Sequence, residues 1–332
     1  MADATGILVF GDAPDGQLAS TAQELLTAGR SLADALNQEL AIAVIGSDVA
    51  DAPQQAIAHG ADKAFAVTNP ALADYHADLY LAAMQTVAAE ANPGIILVAR
   101  NNEGRELAPR LAFRLGVGLA QGCLEVSADA STGRLLANRP VYGGSAIAVV
   151  SCTHTPQIAA IRPKTYEPLD ADAGRAGQVV AFPVDIDASA AKTRVVDVVK
   201  EEAEGIKLED ARIVVSGGRG LGGPEPFSQL EELAGLLGGA VGASRAAVDS
   251  GWVPANYQVG LTGKTITPDL YITVAISGAS QHMAGCSGSK AIVAINKDAD
   301  ANIFKEARYG VVGDWEKVIP ALTETVRELT QS

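Results

Sequence analysis

Short apolar runs alternate with longer amphipathic stretches over the first 115 residues of the chain. Apolar runs of this length are typical of strands, and the stretch at 17–37 places Leu18, Leu25, Leu32 and Leu36 near one face of a helix. Because strands that alternate with helices are joined by crossover connections, the pattern predicts a parallel sheet. The predicted strands are 7–10, 40–45, 63–67 and 95–98, and the predicted helices are 17–37, 74–90 and 103–115.

The pattern changes after about residue 117 to short strands and tight turns. Residues 131–133, Ser-Thr-Gly, suit a hairpin connection. The further predicted strands of this half are 146–151, 157–162, 178–182 and 194–199. Charged residues at 201–205 suit an exposed linker, so we expect one domain at 1–203 and a second at 204–332.

A second alternating pattern begins near Arg212 and continues to a terminal helix. It predicts a doubly wound parallel sheet, so the expected fold class is α/β with two domains. The predicted strands are 213–215, 240–241, 270–276, 291–295 and 310–312, and the predicted helices are 226–237 and 315–329.

The predicted strands of the second domain end in glycine or in side chains that form hydrogen bonds. Glycine lets backbone N–H groups approach a pyrophosphate closely, and Ser, Arg and Asn at neighbouring strand ends can complete the phosphate shell. The segment SGGRGLGG at 216–223 is only a loose relative of the GxGxxG fingerprint. Taken together, however, the strand ends predict a site for a dinucleotide-like cofactor. These ends are 216–220, 242–245, 277–282, Asn296 and 313–314.

Each candidate residue also has an ordinary structural explanation. A histidine such as His282 is more often a surface or capping residue than a functional one. Arg219 and Arg245 could pair with surface carboxylates. The other polar candidates, Thr262, Gln281 and Asn296, could form simple turns or caps.

Composition supports a soluble protein without nucleic acid as a partner. The 332 residues exceed one small core, and 48% hydrophobic residues with 5% aromatics and 34 glycines are typical of packed α/β layers. The net charge of −14 argues against nucleic acid, which needs a clustered positive surface, and against an anionic membrane. We therefore expect neither partner.

The cysteines and the N-terminus point to the cytoplasm. Cys123, Cys152 and Cys286 are isolated in sequence, so they form no zinc-type pair and fit reduced, buried thiols. The N-terminus lacks the basic and long apolar regions of a signal peptide. Because no apolar stretch approaches the roughly 20 residues of a membrane helix, no membrane insertion is expected.

The motifs of the second half resemble the α subunit of electron transfer flavoproteins in both order and spacing. They are SGGRG at 216–220, GASRAAVDSGW at 242–252, QVGLTGK at 258–264, LYITVAISGASQHMAG at 270–285, IVAINKD at 292–298 and YGVVGD at 309–314. GRELAPRLAFRL at 104–115 and AIRPKTY at 160–166 are similar to the same family more loosely. The resemblance implies a nucleotide-binding-like α/β domain that packs on a partner subunit, followed by a domain that binds extended FAD.

The resemblance also implies which residues surround the flavin ring. Arg245 would lie against the isoalloxazine, Thr262 would hydrogen-bond near N5, and His282 would reach the O2 side. The ring would be lined by Val259, Gly260 and Leu261. A one-electron carrier must stabilise a flavin semiquinone, whose anionic form places charge on N1 and O2, so a cation or donor at His282, helped by Arg245, would supply that stabilisation.

The remaining site residues would hold the rest of FAD. Arg219 and Ser244 would lie along the diphosphate and ribityl region, Asn296 near the adenosine half, and Asp314 near its ribose, with the adjacent Trp315 also at the cofactor. The phosphates would be surrounded by Ser277, Gly278, Ala279, Ser280 and Gln281. Two positions depart from the family: Leu261 replaces a usual Gln, and Ser280 a usual aliphatic residue. Because the glycines are retained, FAD binding should survive.

The implied function is that of an electron carrier: an FAD-bearing subunit paired with a β subunit and accepting electrons from acyl-CoA-type dehydrogenases. A variant is a bifurcating complex, in which the β subunit holds a second FAD instead of AMP and oxidises NADH. A self-contained flavin enzyme would need a general base beside N5, where only Thr262 and Lys264 stand. A nucleotide-sensing module would leave His282 and Arg245 without a task.

Overall fold

The computed structural model describes residues 4–129, 131–142, 146–197 and 206–330. The chain divides into two compact units, one made by Met1–Val141 with Ala146–Val199 and the other mainly by Lys200–Ser332. The predicted linker at 201–205, with the boundary after 203, lies outside the described residues.

The first unit contains a parallel sheet and a small antiparallel one. Its strands are β1 (Ile7–Gly11), β2 (Leu40–Gly46), β3 (Lys63–Thr68), β4 (Ile95–Ala99), β5 (Leu119–Cys123), β6 (Glu125–Asp129), β7 (Arg134–Val141), β8 (Ala146–Val150), β9 (Gln157–Ile161) and β10 (Gln178–Pro183). Its helices are α1 (Ser20–Leu36), α2 (Ala52–Ala58), α3 (Ala77–Ala91) and α4 (Asn102–Leu115). The parallel sheet has the order β10-β3-β2-β1-β4-β9-β5, and β6, β7 and β8 form the antiparallel sheet.

Helices cover both faces of the parallel sheet. Residues of α1 and α2 pack into one apolar cluster, and residues of α3 and α4 pack into a second cluster on the opposite side. Every residue of β1, β4 and β9 is consequently buried. This double burial explains why the apolar runs in the sequence are continuous rather than alternating.

Local chemistry sets the helix ends. α1 and α3 stop at Asn37 and Asn92, whose φ angles of 52° and 43° lie in the left-handed region. α4 begins where the side chain of Asn101 accepts a hydrogen bond of 2.9 Å from the Gly104 N–H. The predicted hairpin at 131–133 joins β6 to β7, which pair from Asp129 with Arg134.

Two expectations need correction, and one helix of this unit was not predicted. The predicted strand at 194–199 is absent over 194–197, where the chain is exposed and pairs with no strand, and 198–199 lie outside the described residues. Helix α2 was not predicted, because seven residues are too few to show helical periodicity. Cys152 is half-buried rather than buried, whereas Cys123 and Cys286 are buried.

The second unit holds one parallel sheet. Its strands are β11 (Ile213–Gly217), β12 (Ala240–Ala243), β13 (Leu270–Val274), β14 (Ile292–Asn296) and β15 (Tyr309–Val312). Its helices are α5 (Phe227–Leu236), α6 (Arg245–Asp249), α7 (Ser280–Met283), α8 (Ile303–Glu306) and α9 (Trp315–Thr330). The strand order β12-β11-β13-β14-β15 places β11 and β13 side by side with connections that leave in opposite directions. The prediction of an α/β fold with a doubly wound second sheet is confirmed.

Within the described ranges, every helix is too short or too polar to cross a bilayer. The same ranges contain no group of three or more His, Cys, Asp or Glu side chains placed to hold a metal ion.

A buried carboxyl group follows β1. Asp12 Oδ2 accepts a hydrogen bond of 2.5 Å from Asn101 Nδ2, while Asp12 Oδ1 is buried without a partner among the described residues. Burial, followed by repulsion from Glu103, raises the pKa of Asp12 to about 7. Burial likewise raises the pKa of Glu24 to about 7.

These shifts predict how stability depends on pH. Between about pH 4 and pH 7 the folded chain holds protons that the unfolded chain has lost, so the free energy of unfolding should fall as the pH rises through this window. At about 1.4 kcal/mol for each pH unit, Asp12 alone contributes at most about 4 kcal/mol. Asp12→Asn should remove the contribution of Asp12 to this pH dependence, whereas substitution of an exposed carboxyl group, Asp170→Asn, should leave the pH dependence unchanged. Urea unfolding midpoints at about pH 4 and pH 7 measure the change in the free energy of unfolding. If that change were the same in Asp12→Asn as in wild type, Asp12 would not be its source.

Candidate functional site

A cavity of about 680 Å³ opens at the carboxyl ends of β11, β13 and β14. The loop that follows β11, the start of α6 and the segment Gln258 to Thr262 complete its wall. The cavity lies where the connections of β11 and β13 diverge, which is the switch point at which open parallel sheets bind their ligands.

Close backbone packing creates this crevice. The Gly218 N–H donates to the Val274 carbonyl at 2.9 Å, and a Cβ on Gly218 would overlap the Ala275 carbonyl oxygen. A Cβ on Gly220 would come within 3.0 Å of the Ala275 Cβ. Ala275 itself has a φ of 55°, in the left-handed region that side chains rarely adopt. The predicted strand 270–276 therefore ends at Val274, and Ala275 and Ile276 turn into the cavity wall.

The start of α6 supplies a capping serine and an exposed arginine. Ser244 Oγ accepts a hydrogen bond of 3.4 Å from the Ala247 N–H. Arg245 Nε lies 3.2 Å from Asp249 Oδ2, with the arginine side chain 67% exposed. The alternative that Arg245 pairs with a surface carboxylate is thus correct, but an exposed pair of this kind is weak. Its guanidinium therefore remains accessible to an anionic ligand at little cost.

The segment Gln258 to Lys264 is held at several points. The Val259 N–H donates to the Ala243 carbonyl at 2.9 Å, and the Leu261 N–H donates to the Gln281 carbonyl at 2.7 Å. The Gln258 side-chain amide donates to Thr262 Oγ1 at 2.9 Å. These bonds fix the position of Thr262 before any ligand is bound.

An ion pair anchors the end of the same segment. Lys264 Nζ lies 2.6 Å from Glu209 Oε1, and each side chain is about one-third exposed. Because solvent screens such a pair, its main effect is to orient the loop.

His282 is buried, so its interpretation as a surface residue is wrong. The side chain on α7 is 7% exposed, and its Nε2 lies 2.9 Å from the Tyr271 hydroxyl oxygen. Nδ1 is buried without a hydrogen-bond partner in the described part of the chain. Burial lowers the pKa of His282 to about 4, against an opposing effect of the Val259 backbone. The imidazole is therefore neutral near pH 7 and can act as a hydrogen-bond donor but not as a cation.

The cavity brings most of the predicted site residues together. Those in its wall are Arg219, Ser244, Arg245, Val259, Gly260, Leu261, Thr262, Ser277, Ala279, Gln281, His282 and Asn296. Asn296 also makes the predicted turn, since its Nδ2 donates to the Ile276 carbonyl at 2.9 Å and its Oδ1 accepts from the Asp298 N–H at 3.0 Å.

Four predicted residues lie outside the wall. Gly278, with a φ of 78°, is packed against the backbone of Ile303, while Ser280 is exposed at the start of α7. Asp314 Oδ1 accepts from the Glu316 N–H at 3.2 Å and so caps α9, and Trp315 is partly buried and packs against the apolar core of the unit. Neither Asp314 nor Trp315 lines the cavity, so their assignment to the cofactor stays a prediction.

Several residues of the wall were not predicted. They are Gly220, Ala246, Asp249, Gln258, Ala275, Ile276, Asp298 and Ala301. Most lie within a few positions of a predicted residue, and Asp298 closes the IVAINKD motif. Ala301 carries no chemical signal in the sequence, because it contributes apolar surface only.

The residues present fit FAD. The volume lies within the usual range of cofactor sites, roughly 300–1,000 Å³. Gly218 and Gly220 keep the backbone at the switch point free of side chains, as a diphosphate requires. Arg219 and Arg245 are exposed cations in the wall, and His282 offers a buried nitrogen that lacks a partner.

A doubly wound sheet with a glycine-edged cavity at its switch point defines a dinucleotide-binding α/β protein. Residues 7–187 match the electron transfer flavoprotein domain, and residues 207–287 match the electron transfer flavoprotein FAD-binding domain. The chain belongs to the alpha-subunit family of electron transfer flavoproteins, and its cofactor is FAD.

Full-length relatives agree with this assignment. Electron transfer flavoprotein subunit alpha of Thermoanaerobacterium thermosaccharolyticum is 44% identical over 99% of this chain and 100% of its own length. The subunit of the same description from Megasphaera elsdenii is 41% identical over 99% of this chain and 98% of its own length. Protein FixB of Clostridium saccharobutylicum is 40% identical over the same shares. The predicted family is therefore confirmed along the whole chain.

Proposed function

We propose that this chain is the FAD-bearing subunit of a heterodimeric carrier that accepts electrons from acyl-CoA-type dehydrogenases and passes them on one at a time. A β subunit, holding AMP, would complete the heterodimer. Family membership supports electron transfer as the role and a β subunit as the partner. The electron donor and the one-electron mode are the further steps of the proposal.

The chemistry of the cavity wall carries the proposal. His282 is neutral near pH 7, and the two acids of the wall, Asp249 and Asp298, are exposed. A flavin enzyme that acts on a small substrate needs a base whose pKa is tuned near the working pH. The described wall instead offers donors, cations and glycine backbone, which bind and stabilise a redox cofactor without attacking a substrate.

Each group of the wall has a task in this proposal. FAD supplies the one-electron chemistry when it is bound. Arg219, Ser244 and the 277–281 turn would hold its diphosphate and ribityl chain, and Thr262 would orient the ring. His282 would donate a hydrogen bond to the electron-rich side of the ring, with Arg245 adding positive charge. Asn296 would lie near the adenosine half.

The thiols support a reducing compartment. Cys123, Cys152 and Cys286 are free. Since reduced thiols persist in the cytoplasm and are uncommon in secreted proteins, we place the protein in the cytoplasm.

Co-purification with the β subunit, followed by stepwise reduction, tests the proposal. We expect a yellow complex that passes through a red one-electron-reduced form when an acyl-CoA dehydrogenase and its substrate supply electrons. A protein that stays colourless after reconstitution with FAD would contradict the proposal. NADH alone should leave the complex oxidised, and reduction by NADH would instead support the bifurcating variant.

A further inference from the structure

Tyr271 is a buried polar residue beside the cavity that the proposed function leaves without a task. It lies on β13, is fully buried, and is not part of the cavity wall. Its hydroxyl oxygen is 2.9 Å from His282 Nε2. The two rings are stacked, with centroids 6.1 Å apart and planes inclined by 23°. Stacking and the hydrogen bond together hold the imidazole in one orientation.

We propose that Tyr271 is a positioning residue whose hydroxyl group donates to His282 Nε2, and that it thereby fixes the neutral tautomer in which Nδ1 carries the proton. The tautomer of His282 is set within this chain and requires neither FAD nor a partner subunit. The inference rests on the proposed function only for the next step, in which the Nδ1–H is presented to FAD. Tyr271 does not line the cavity, so any effect that it has on the cofactor must pass through His282.

The protonation states of the two side chains permit this direction of donation. Burial raises the pKa of Tyr271 well above its ordinary value, so the phenol keeps its proton wherever the chain is folded. Burial lowers the pKa of His282 to about 4, so the imidazole keeps a lone pair with which to accept. A neutral imidazole that accepts at Nε2 must carry its proton at Nδ1.

Ser216 favours the same direction. It is fully buried on β11, two residues beyond Val214, which pairs with Tyr271. Its hydroxyl has no hydrogen-bond partner of good geometry among the described residues, but it lies close enough to the phenol of Tyr271 to lower the tyrosine pKa against burial. If the serine hydroxyl points towards the phenol oxygen, the phenol proton must point elsewhere, and His282 Nε2 is an acceptor at 2.9 Å.

The consequence is a preformed donor. His282 Nδ1 is buried and lacks a partner among the described residues. The Val259 backbone is close enough to oppose the effect of burial on the imidazole, but Nδ1 makes no hydrogen bond of good geometry among the described residues. A ligand that brings an electron-rich oxygen or nitrogen to this nitrogen therefore gains a hydrogen bond that the folded chain does not supply. The opposite tautomer would present a lone pair there and repel the same ligand atom.

Tautomer-resolved NMR of the full-length chain tests the assignment. In protein with ¹⁵N-labelled histidine, the four histidines are separated by one substitution each, and the signal lost in His282→Ala identifies His282. We expect wild type to show one neutral tautomer, with the proton on Nδ1. Tyr271→Phe keeps the ring and removes the hydroxyl, so it should lose that single tautomer and give a mixture or the Nε2–H form.

The matched control is Tyr309→Phe, which removes the same group from a tyrosine that is 62% exposed on β15. It should leave the His282 signals unchanged. A proton on Nε2 in wild type would overturn the proposal even if Tyr271→Phe failed to fold. An unchanged tautomer in folded Tyr271→Phe would overturn it as well.

A second measurement separates this inference from the proposed function. In the FAD-loaded complex, Tyr271→Phe should lower the equilibrium constant for adding the first electron by about threefold to tenfold, the effect of one weakened hydrogen bond. FAD content should not change. If wild type bound no FAD, the proposed function would fail while the tautomer result still stood. If the tautomer changed without any change in the first-electron equilibrium, the link from Nδ1 to the flavin would be wrong.

Discussion

Gly218→Ala is expected to weaken FAD binding by about 100-fold or more and to destabilise the second unit. A Cβ at this position would overlap the Ala275 carbonyl oxygen and lie 2.9 Å from the Ile276 Cα, both of which are backbone atoms that cannot rotate away. The carboxyl ends of β11 and β13 would have to separate. Overpacking of this kind costs about 3 kcal/mol, and because each 1.4 kcal/mol is a factor of ten, FAD affinity should fall by about 100-fold or more.

Flavin fluorescence titration and calorimetric unfolding of the same preparations measure this effect. Gly223→Ala is a matched control in the same SGGRGLGG segment, since its Cβ would approach only the carboxylate end of Glu225, at 2.6 Å, which is free to move. That variant should bind FAD as wild type does. Normal FAD affinity in Gly218→Ala would show that the two strand ends can separate at little cost and that their close approach does not shape the site.

His282→Ala is expected to retain FAD but to lose most of the one-electron-reduced anionic flavin. The substitution removes the buried donor from the cavity wall, and a hydrogen bond to a charged group contributes about 1.5–3 kcal/mol. The equilibrium constant for the first electron should therefore fall about tenfold to 100-fold. Because the pKa of His282 is about 4, this effect should be nearly constant between pH 6 and pH 8.

Stepwise reduction followed by absorbance is the measurement, with the exposed His154→Ala as the control. His282→Gln, which keeps a side-chain N–H, should recover part of the lost stabilisation. If reduction of His282→Ala proceeded as in wild type, His282 would not be the donor to the flavin. A steep pH dependence near neutrality in wild type would show instead that the histidine acts as a cation.

Much of the fold is visible in the sequence because buried parallel strands leave continuous apolar runs. The predicted strand 40–45 differs from Leu40–Gly46 by one residue for this reason. The predicted strand 270–276 is too long for a related reason: Ala275 and Ile276 are apolar, and apolarity does not reveal the positive φ of Ala275. The exposed valines Val195 and Val196 were mistaken for a strand because composition cannot show whether a neighbouring strand is available.

The site was predictable where it depends on strand ends and less so where it depends on packing. Carboxyl ends of parallel strands meet at one edge, so residues as distant in sequence as Arg219 and Asn296 could be expected together. The burial of His282 and its bond to Tyr271 depend on how α7 packs against β13, which no local pattern encodes. Trp315 was predicted at the cofactor, but its partly buried side chain packs against the apolar core and does not line the cavity.

The outermost strand of the second sheet has a consequence for handling the chain alone. β15 pairs with β14 on one side, and all four of its residues are exposed, including Tyr309 at 62% and Val312 at 60%. Open apolar edges of this kind pair readily with another chain. The net charge of −14 opposes such encounters between copies of the chain. The same acidity therefore keeps copies of the chain apart in solution, and high salt or low pH would remove that protection.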